Sequence, residues 1–430
     1  MPANKDQRSA GSLPDMKVVH LNAGVIPVPP GDKAASAEEY VYLLTHHLGQ
    51  LGCQVHVIDI KGGVQQKQKR QESSAKFHEV WHSPLPHRYD FSFLQHFFSY
   101  LFLMSHILPF ALLSSFALNR LFGREKIDVI HAHNREVALA AMVVNKLRRN
   151  AAVVIYAPKS AFGLTKLTWH KRLINFAEIL TLKWADHIIS MGPGHERWLV
   201  SEFNLDPAKI TQIYAGADLD EIERFLSHKA GACHQSNMML CTGGVGTRKN
   251  QFSAVKAIPQ VVAACPEVKF VFTGPIGQAK YFNSIQRFIT ENNLSPYVEF
   301  KGVVTKQELY NLYSDAMVFL FPTTAEVDPV SLKEALAFGL PVVASTIEPI
   351  ADVVSLEEGS AILVDPYDVD GMAAAIIRVL QDSSLWQSMS QKAKKLAQSL
   401  SYEHIAAQTL ALYKELVQNK KQLYRKNAIR

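Results

Sequence analysis

Short apolar runs that alternate with segments of helical periodicity constrain the fold of this chain most strongly. Residues 16–22 form the first apolar run, and a loop that bears proline and glycine follows it. Apolar side chains then recur at helical spacing over residues 40–51, until Gly52 ends the segment and a second apolar run occupies residues 54–60. Strand, loop, helix and strand in this order predict the opening of a parallel, doubly wound α/β sheet.

The same alternation continues along the chain, is interrupted once and then restarts. In the first half we predict a helix over residues 171–184 and strands over residues 127–133, 153–156, 187–191 and 210–214. A polar stretch without periodicity covers residues 227–237. After it we predict strands over residues 238–242, 268–273, 298–303, 317–321, 342–345 and 361–364. The interruption indicates a linker between two α/β domains.

The length agrees with two domains, because 430 residues exceed what one ordinary hydrophobic core accommodates. We predict an α/β architecture of two Rossmann-like domains with a deep cleft between them. The predicted bounds are residues 1–230 for the N-terminal domain and residues 231–400 for the C-terminal domain. A terminal helix over residues 401–430 is expected to pack back toward the N-terminal domain.

The composition excludes several classes of protein. Apolar residues make up 48% of the chain and charged residues 20%, which is typical of a folded, soluble protein and not of a disordered or polytopic membrane protein. The net charge of +6 comes from scattered basic residues, apart from the tail over residues 414–430, so no nucleic-acid partner is expected. The 4 cysteines lack metal-binding spacing, and residues 1–15 do not resemble a secretory signal. We therefore expect a cytoplasmic protein with reduced cysteines.

Residues 91–119 form a segment without charge that is rich in phenylalanine and leucine. Its length would allow a membrane span, but interrupting polar residues and Pro109 argue against one. We interpret the segment as a buried or membrane-surface pair of helices, and plain core packing is the alternative. The basic amphipathic C-terminal stretch can likewise be a solvated face or a contact with anionic lipid. The sequence thus leaves open a peripheral contact with the inner face of the membrane.

The most informative segment, residues 326–341, reads as a short helix with both ends marked. Asp328 is predicted to cap the helix, and Pro329 suits its first turn. Gly339 suits a left-handed residue after the helix end, and Pro341 prevents continuation. The helix would begin at the end of a predicted strand, and in an open parallel sheet that edge is where ligands bind.

Side chains near the start of this helix can reach a ligand at the sheet edge. Helical side chains lean toward the N-terminus, so the Glu334 carboxylate can point back to the cleft and accept two hydroxyl hydrogen bonds from a ribose. Glu326, in the preceding loop, would lie nearer to a group attached to the phosphate. The backbone amides at Val330 and Ser331 would face a diphosphate, since helix N-termini favour anions.

Glu326 and Glu334 have seven residues between them, and Ala-Leu-Ala-Phe-Gly-Leu-Pro-Val-Val-Ala follows Glu334. This pattern resembles the donor-site signature of retaining glycosyltransferases of the GT-B fold, in family 4, also called glycosyl transferases group 1. The resemblance extends over nearly the whole chain. It implies an N-terminal domain on the acceptor side, a C-terminal domain that binds a nucleotide sugar, and a glycosyltransferase activity of the hexosyltransferase type.

A histidine carries the resemblance in the N-terminal half. The run Asp-Val-Ile-His-Ala-His over residues 128–133 places His133 where the family has a histidine that faces the donor sugar. A histidine at a strand end can equally be a structural hydrogen-bonding residue, and position alone does not separate the two roles.

A cationic loop carries the resemblance in the C-terminal half. Residues 242–250 resemble the loop that supplies cations to the diphosphate, and Lys249 matches the family lysine. The arginine that usually follows the first strand of this domain is absent, since Gly243 and Gly244 stand there. Arg248 is the candidate to replace it, and a solvated surface position is the alternative.

The N-terminal half departs from the family pattern at two places. Ala35 and Ser36 occupy the place of a double glycine whose amides approach the sugar or acceptor in relatives, and they are the acceptor-side candidates here. Residues 156–158, Tyr-Ala-Pro, stand where relatives often show Thr-His-Asp, whereas residues 216–218 keep the Gly-x-Asp of the family.

The resemblance implies retention of anomeric configuration, with the leaving phosphate accepting the proton of the acceptor and no protein nucleophile. The expected catalytic residues are His133, Glu326 and Lys249. The expected donor-binding residues are Arg248, Lys249, Gly243, Gly244, Val330, Ser331 and Glu334. The two Asp-x-Asp patterns, at residues 218–220 and 368–370, lie in predicted linker and late-loop positions. We therefore expect no metal and no cofactor, since cations and a helix start can stabilise the departing diphosphate.

The expected function is transfer of a sugar from a nucleotide-diphosphate sugar to a glycan or lipid-linked acceptor in envelope polysaccharide, lipopolysaccharide or glycolipid synthesis. One alternative is a sugar-nucleotide epimerase on the same fold, which would release nucleotide without an acceptor. The other is a non-catalytic, membrane-associated partner of another transferase, which would bind no nucleotide sugar. The sequence does not specify the base, the sugar or the acceptor.

Overall fold

A computed structural model of the protein describes residues 16–22, 28, 36–80, 108–148, 152–158, 169–229 and 237–428. In the N-terminal part the elements are β1 (Lys17–Leu21), α1 (Ser36–Gln50), β2 (Gln54–Ile60), α2 (Val64–Glu72), β3 (Lys76–Val80), α3 (Leu108–Phe122), β4 (Val129–Ala132), α4 (Arg135–Leu147), β5 (Val153–Tyr156), α5 (Trp169–Trp184), β6 (His187–Ser190), α6 (Pro193–Phe203), β7 (Ile210–Gln212) and α7 (Leu219–His228). In the C-terminal part they are β8 (Met238–Thr242), α8 (Gln251–Ala264), β9 (Lys269–Thr273), α9 (Ala279–Glu291), β10 (Val298–Gly302), α10 (Lys306–Asp315), β11 (Val318–Phe321), α11 (Val330–Ala337), β12 (Val342–Ser345), α12 (Glu348–Val354), β13 (Ala361–Val364), α13 (Val369–Gln381), α14 (Ser383–Ser399) and α15 (Tyr402–Ala428).

The strands form two sheets, each with the strand order of a doubly wound fold. The first sheet has the order β3-β2-β1-β4-β5-β6-β7 and the second has the order β10-β9-β8-β11-β12-β13. Strand β1 pairs in parallel with both β2 and β4, and β8 and β12 pair in parallel with their neighbours. The prediction of an α/β fold with two parallel-sheet, Rossmann-like domains is confirmed.

Central strands of both sheets are buried on both faces, which explains their largely apolar sequences. Every residue of β4, β8 and β11 is buried. In β11 the side chains of Val318 and Leu320 pack into one apolar cluster, while Phe319 and Phe321 pack into another on the opposite face. Because successive side chains of a strand point to opposite faces, the second sheet lies between two hydrophobic layers.

The described chain divides into two compact units. Of the described residues, one unit comprises those up to Val28, Ala37–Ile189 and those from Ala406 onward, and the other comprises Ser36 and Ser190–Ile405. Within the first unit, Lys420 of α15 donates to the carbonyl of Ala152 at 2.8 Å and to Asp186 Oδ2 at 2.7 Å. These contacts fix the C-terminal helix to the residues that directly precede β5 and β6. The domain bounds expected at residues 230 and 400 stay predictions.

The uncharged segment over residues 91–119 is described only from Leu108 onward, where it forms most of α3. Residues 91–107 lie outside the described residues. Among the helices of the described ranges, none combines the length and the apolar character needed to cross a bilayer.

Candidate active site

Two loops from distant parts of the sequence meet at one edge of the second sheet. Strands β8 and β11 are parallel neighbours, so the loops that follow them, residues 243–250 and 322–329, leave the sheet at the same edge. The Arg248 carbonyl accepts hydrogen bonds from the Thr324 amide at 2.8 Å and from Thr323 Oγ1 at 2.9 Å. The sheet order thus brings together the cationic loop and the loop of the first signature glutamate.

Glu326 lies between the two cations of the other loop. Its Oε1 accepts from Lys249 Nζ at 2.6 Å and from Arg248 Nη1 at 3.0 Å. It also lies 3.1 Å from Thr323 Oγ1, whose single proton it shares with the Arg248 carbonyl. The Lys249 and Glu326 side chains are 14% and 10% exposed, whereas that of Arg248 is 58% exposed. Two positive charges face one negative charge, so the trio has an excess of one positive charge. An arriving anion would be attracted and would compete with Glu326 for the cations.

Lys249 lies over an aromatic ring and beside a glycine. Its ammonium lies 4.8 Å from the centroid of the Phe321 ring. Gly243 has φ +123°, and a Cβ at this position would come within 2.9 Å of Lys249 Cε. A side chain at Gly243 would therefore be strained and would displace the lysine. A glycine at position 243 therefore leaves room for Lys249 in this chain.

Asn250 fixes the cationic loop to two further loops, a role that the sequence did not indicate. It is buried, adopts the left-handed conformation at φ 52°, and its Nδ2 donates to the carbonyls of Pro322 at 3.0 Å and Pro366 at 2.7 Å. Asparagine tolerates this backbone conformation better than most residues, which is the signal that could have identified it. The ends of β8, β11 and β13 are thus joined by one side chain.

The start of α11 differs from the prediction. Asp328 was expected to cap this helix, but the N-cap residue is Pro329, and no side-chain capping hydrogen bond is present there. The Asp328 carboxylate instead pairs with Lys333 Nζ one turn into the helix. The charge of a buried lysine attracts this carboxylate more strongly than a backbone amide does. The other predicted end is confirmed, since Gly339 adopts φ +75° after the helix.

Lys333 is a fully buried charge that the sequence analysis did not single out. Its side chain is 0% exposed, and its Nζ also donates to the carbonyl of Ala215 at 2.8 Å. Burial lowers the pKa of the Lys333 ammonium, and the Asp328 carboxylate opposes that shift. Lys333 thereby ties the loop before α11 to residues 213–218, which include the Gly-x-Asp motif. Its position on the inward face of α11 was the available signal.

Glu334 is oriented by a buried tyrosine of α10. Tyr313 Oη lies 3.1 Å from Glu334 Oε2 and 3.2 Å from the carbonyl of Ser331, and its single proton is shared between them. Burial raises the pKa of the Tyr313 phenol well above its ordinary value, and the charge of Glu334 adds to the rise. The phenol therefore remains a donor and fixes the carboxylate at the start of α11. Tyr313 could not be identified from sequence alone, because its partner Glu334 lies 21 residues away along the chain.

His133 lies at the end of β4 in the first unit. Its amide donates to the carbonyl of Leu21 at 3.0 Å, and its Nε2 lies 3.0 Å from Nδ1 of His20. The side chain is buried at 7% exposure. Of the acceptor-side candidates, Ala35 lies outside the described residues, and Ser36 is the first residue of α1.

The two Asp-x-Asp patterns open helices. Asp218 accepts from the Glu221 amide at 3.0 Å as the N-cap of α7, and Asp368 accepts from the Gly371 amide at 2.8 Å as the N-cap of α13. Both first aspartates therefore have a structural role in the described chain.

Comparison with known protein families identifies both halves of the chain. A family model described as Glycosyltransferase Family 4 matches residues 37–221, and one described as Glycosyl transferases group 1 matches residues 223–396. The two matches are consecutive and together extend over most of the sequence.

Curated relatives are glycosyltransferases. The UDP-Gal:alpha-D-GlcNAc-diphosphoundecaprenol alpha-1,3-galactosyltransferase of Escherichia coli is 24% identical over 281 residues, which cover 63% of this chain and 71% of that protein. A D-inositol 3-phosphate glycosyltransferase of Nocardioides sp. is 25% identical over 246 residues, covering 54% of each chain.

Solved structures share the fold. Anabaena HepE in complex with UDP aligns with a TM-score of 0.68 at 16% identity, covering 93% of this chain and 100% of that one. Sucrose-phosphate synthase of Thermosynechococcus elongatus aligns with a TM-score of 0.67 at 20% identity, covering 93% and 99%. The solved structures and the paired parallel sheets show the GT-B fold, and the two family matches place the chain among the family 4, group 1 glycosyltransferases.

Proposed function

We propose that the protein transfers a hexosyl residue from a nucleotide-diphosphate sugar, with retention of configuration and without a metal ion, to a glycan or lipid-linked acceptor. The observation that supports this most directly is the arrangement of Lys249, Arg248 and Glu326 beside the uncapped start of α11. As the glycosidic bond breaks, the leaving diphosphate gains negative charge. Two cations and a helix N-terminus can stabilise that charge where a metal ion would otherwise be needed.

The proposal assigns a role to each residue. Lys249 and Arg248 bind the diphosphate together with the amides of Val330 and Ser331, while Gly243 and Gly244 allow its close approach. Glu334, held by Tyr313, accepts hydrogen bonds from the ribose diol. Glu326 binds sugar hydroxyls once the phosphate has taken over its cations, and His133 is assigned to the donor sugar on the family resemblance.

The nature of the acceptor is inferred from relatives and from exposed apolar side chains. The E. coli relative acts, by its name, on a diphosphoundecaprenol-linked sugar. In this chain Leu112 and Phe116, four residues apart on α3, are 63% and 71% exposed. Residues at this spacing share a helix face, and such a face suits shallow insertion into a lipid surface. We therefore infer an envelope polysaccharide, lipopolysaccharide or glycolipid pathway and a peripheral membrane contact.

Nucleotide binding and catalysis test the donor site. Thermal shift with UDP-, GDP- and ADP-sugars identifies the donor, since a ligand of the folded state raises Tm. Glu334→Gln should then weaken donor binding about 10- to 150-fold, because hydrogen bonds to a charged group contribute about 1.5–3 kcal/mol. Glu299→Gln, an exposed carboxylate of the same sheet, is the matched control. Unchanged kinetics in Glu334→Gln would remove this residue from the site.

Product analysis separates the competing functions. NMR of the product anomeric proton, with and without chelator, tests retention and metal independence. Conversion of the donor without an acceptor would indicate an epimerase, and failure to bind any nucleotide sugar would indicate a non-catalytic partner.

Vesicle sedimentation tests the membrane contact. The protein should bind anionic phospholipid vesicles more than neutral ones, and the double change Leu112→Ser and Phe116→Ser should reduce binding. Val64→Ser, at an 86% exposed position on α2, is the control. Equal binding by all three proteins would contradict the assigned contact.

A further inference from the structure

Three histidines share one face of the first sheet. His20 of β1 and His131 of β4 are partners in the parallel register, and His133 follows two residues later. Because side chains alternate along a strand, all three point to the same side. His20 and His131 are 0% exposed and His133 is 7% exposed. Their ring centroids are 4.3 to 5.2 Å apart.

Hydrogen bonds join these rings to a tyrosine of the C-terminal helix. Tyr413 Oη lies 2.6 Å from His131 Nδ1 and 3.5 Å from His20 Nε2. The other nitrogen of His20, Nδ1, lies 3.0 Å from His133 Nε2. Tyr413 is 0% exposed, and burial raises the pKa of its phenol well above the ordinary value. The chain of contacts thus runs from His131 through Tyr413 and His20 to His133.

The donors along this chain must all point the same way. A neutral imidazole has one donor and one acceptor nitrogen, and a phenol has one proton. If Tyr413 donates to His131, it accepts from His20 Nε2, and His20 Nδ1 then accepts from His133. If His131 donates to Tyr413, each of these bonds is reversed. The two arrangements place the proton of His133 on different ring nitrogens. The short 2.6 Å contact favours the first arrangement, because a phenol is a stronger hydrogen-bond donor than a neutral imidazole.

We propose that Tyr413 and His20 are positioning residues that select the tautomer of His133. This proposal rests on the proposed function, in which His133 faces the donor sugar. The tautomer decides whether a given ring nitrogen donates to or accepts from a sugar hydroxyl. A residue 280 positions away, on the last helix of the chain, therefore sets the chemistry of the strand end through two successive hydrogen bonds.

The test compares Tyr413→Phe with Tyr424→Phe, which removes an exposed hydroxyl from the same helix. The ¹⁵N shifts of the histidine rings, assigned with His133→Ala, report the tautomer above the pH of histidine ionisation. We expect one tautomer of His133 in the wild type and in Tyr424→Phe, and a mixture in Tyr413→Phe. We also expect kcat to fall about 2- to 12-fold with an unchanged donor KM, the equivalent of one hydrogen bond.

A second variant guards against misfolding of the first. His20→Asn retains a polar atom near the Nδ1 position and loses the contact with Tyr413. His133 should therefore be a mixture of tautomers in this variant as well. In the His133→Ala background, Tyr413→Phe should cause no further loss of kcat, because coupled residues are not additive. Wild-type ¹⁵N shifts in folded Tyr413→Phe and His20→Asn would overturn the proposal.

Two other outcomes are distinguishable. Full activity in His133→Ala would refute the role of His133 in transfer. If His133 is nevertheless a mixture of tautomers in Tyr413→Phe, the coupling between Tyr413 and His133 stands. One nitrogen of each histidine lies within 4.8 Å of the others, so zinc is the competing occupant. One zinc ion per purified chain would overturn the proposal, because a metal ligated by His20 would replace its bond to His133.

Discussion

Replacement of Gly243 by alanine should separate the stability of the donor-site loop from its affinity for a diphosphate. The left-handed backbone at φ +123° strains any residue with a Cβ. The new methyl group would meet Lys249 Cε at 2.9 Å, whereas ordinary contacts begin at 3.4 Å. Since Lys249 Cε belongs to a flexible side chain, the lysine would move by about 0.5 Å and the backbone would not.

The two effects have different magnitudes and different assays. Backbone strain of this kind costs about 1–3 kcal/mol, which should appear in the free energy of unfolding measured with urea. Displacement of the ammonium should remove much of one charge-assisted contact, about 1.5–3 kcal/mol, and so weaken binding of UDP or another matching nucleoside diphosphate up to about 150-fold by calorimetry.

Gly246→Ala, in the same loop, is the matched control for this experiment. A Cβ at Gly246 would meet Gln278 Cδ at 3.5 Å, an ordinary van der Waals distance. This variant should retain both stability and affinity. If Gly243→Ala and Gly246→Ala unfold at the same urea concentration and bind the diphosphate equally, the requirement for a glycine at position 243, and the assignment of Lys249 to the diphosphate, would be wrong.

Three further predictions concern buried polar groups. Lys333→Met should lower the free energy of unfolding by about 3 kcal/mol, because it leaves Asp328 unpaired. The double variant with Asp328→Leu should regain most of the lost free energy, and urea titration of both variants measures this. Burial lowers the pKa of His195 from 6.5 to about 4, so between these pH values the unfolded state binds one more proton than the folded state. The free energy of unfolding should therefore fall by up to about 3 kcal/mol as the pH drops through this window. His195→Asn should lack this pH dependence of the free energy of unfolding. Tyr313→Phe should raise the donor KM about 5- to 10-fold by releasing Glu334, and an unchanged KM would argue against that hydrogen bond as the orienting contact.

Most of the strands whose bounds could be predicted from the sequence are fully buried, and the half-buried edge strand β13 is the exception. Residues 153–156, 238–242, 342–345 and 361–364 form strands with the predicted bounds. By contrast, neither helix α2 nor strand β3 was predicted from the sequence. Arg70 is the buried residue of α2, and its guanidinium donates to Asp59, Glu79 and the Val28 carbonyl, so this helix is held by ion pairs that leave no apolar period.

The sequence indicated which residues belong to the candidate site but not which of them contact one another. Lys249 and Glu326 were both singled out, but their pairing depends on β8 and β11 being neighbours in the sheet, 77 residues apart in sequence. Asp328 was expected to cap the backbone of α11 by a local rule, but it pairs with the buried Lys333. That pairing could not be predicted because the sequence alone does not show that Lys333 is buried. The assigned roles in catalysis stay predictions.

The side-chain amide of Asn250 has a consequence for the thermodynamics of ligand entry. By holding three strand ends through two carbonyls, it makes the surrounding backbone rigid before any ligand arrives. Association then loses little conformational entropy in the protein, so the heat capacity change on binding should reflect the surface that the ligand covers and contain no contribution from loop folding. Asn250, which has no assigned contact with substrate, would in this way set the affinity of the residues that bind it.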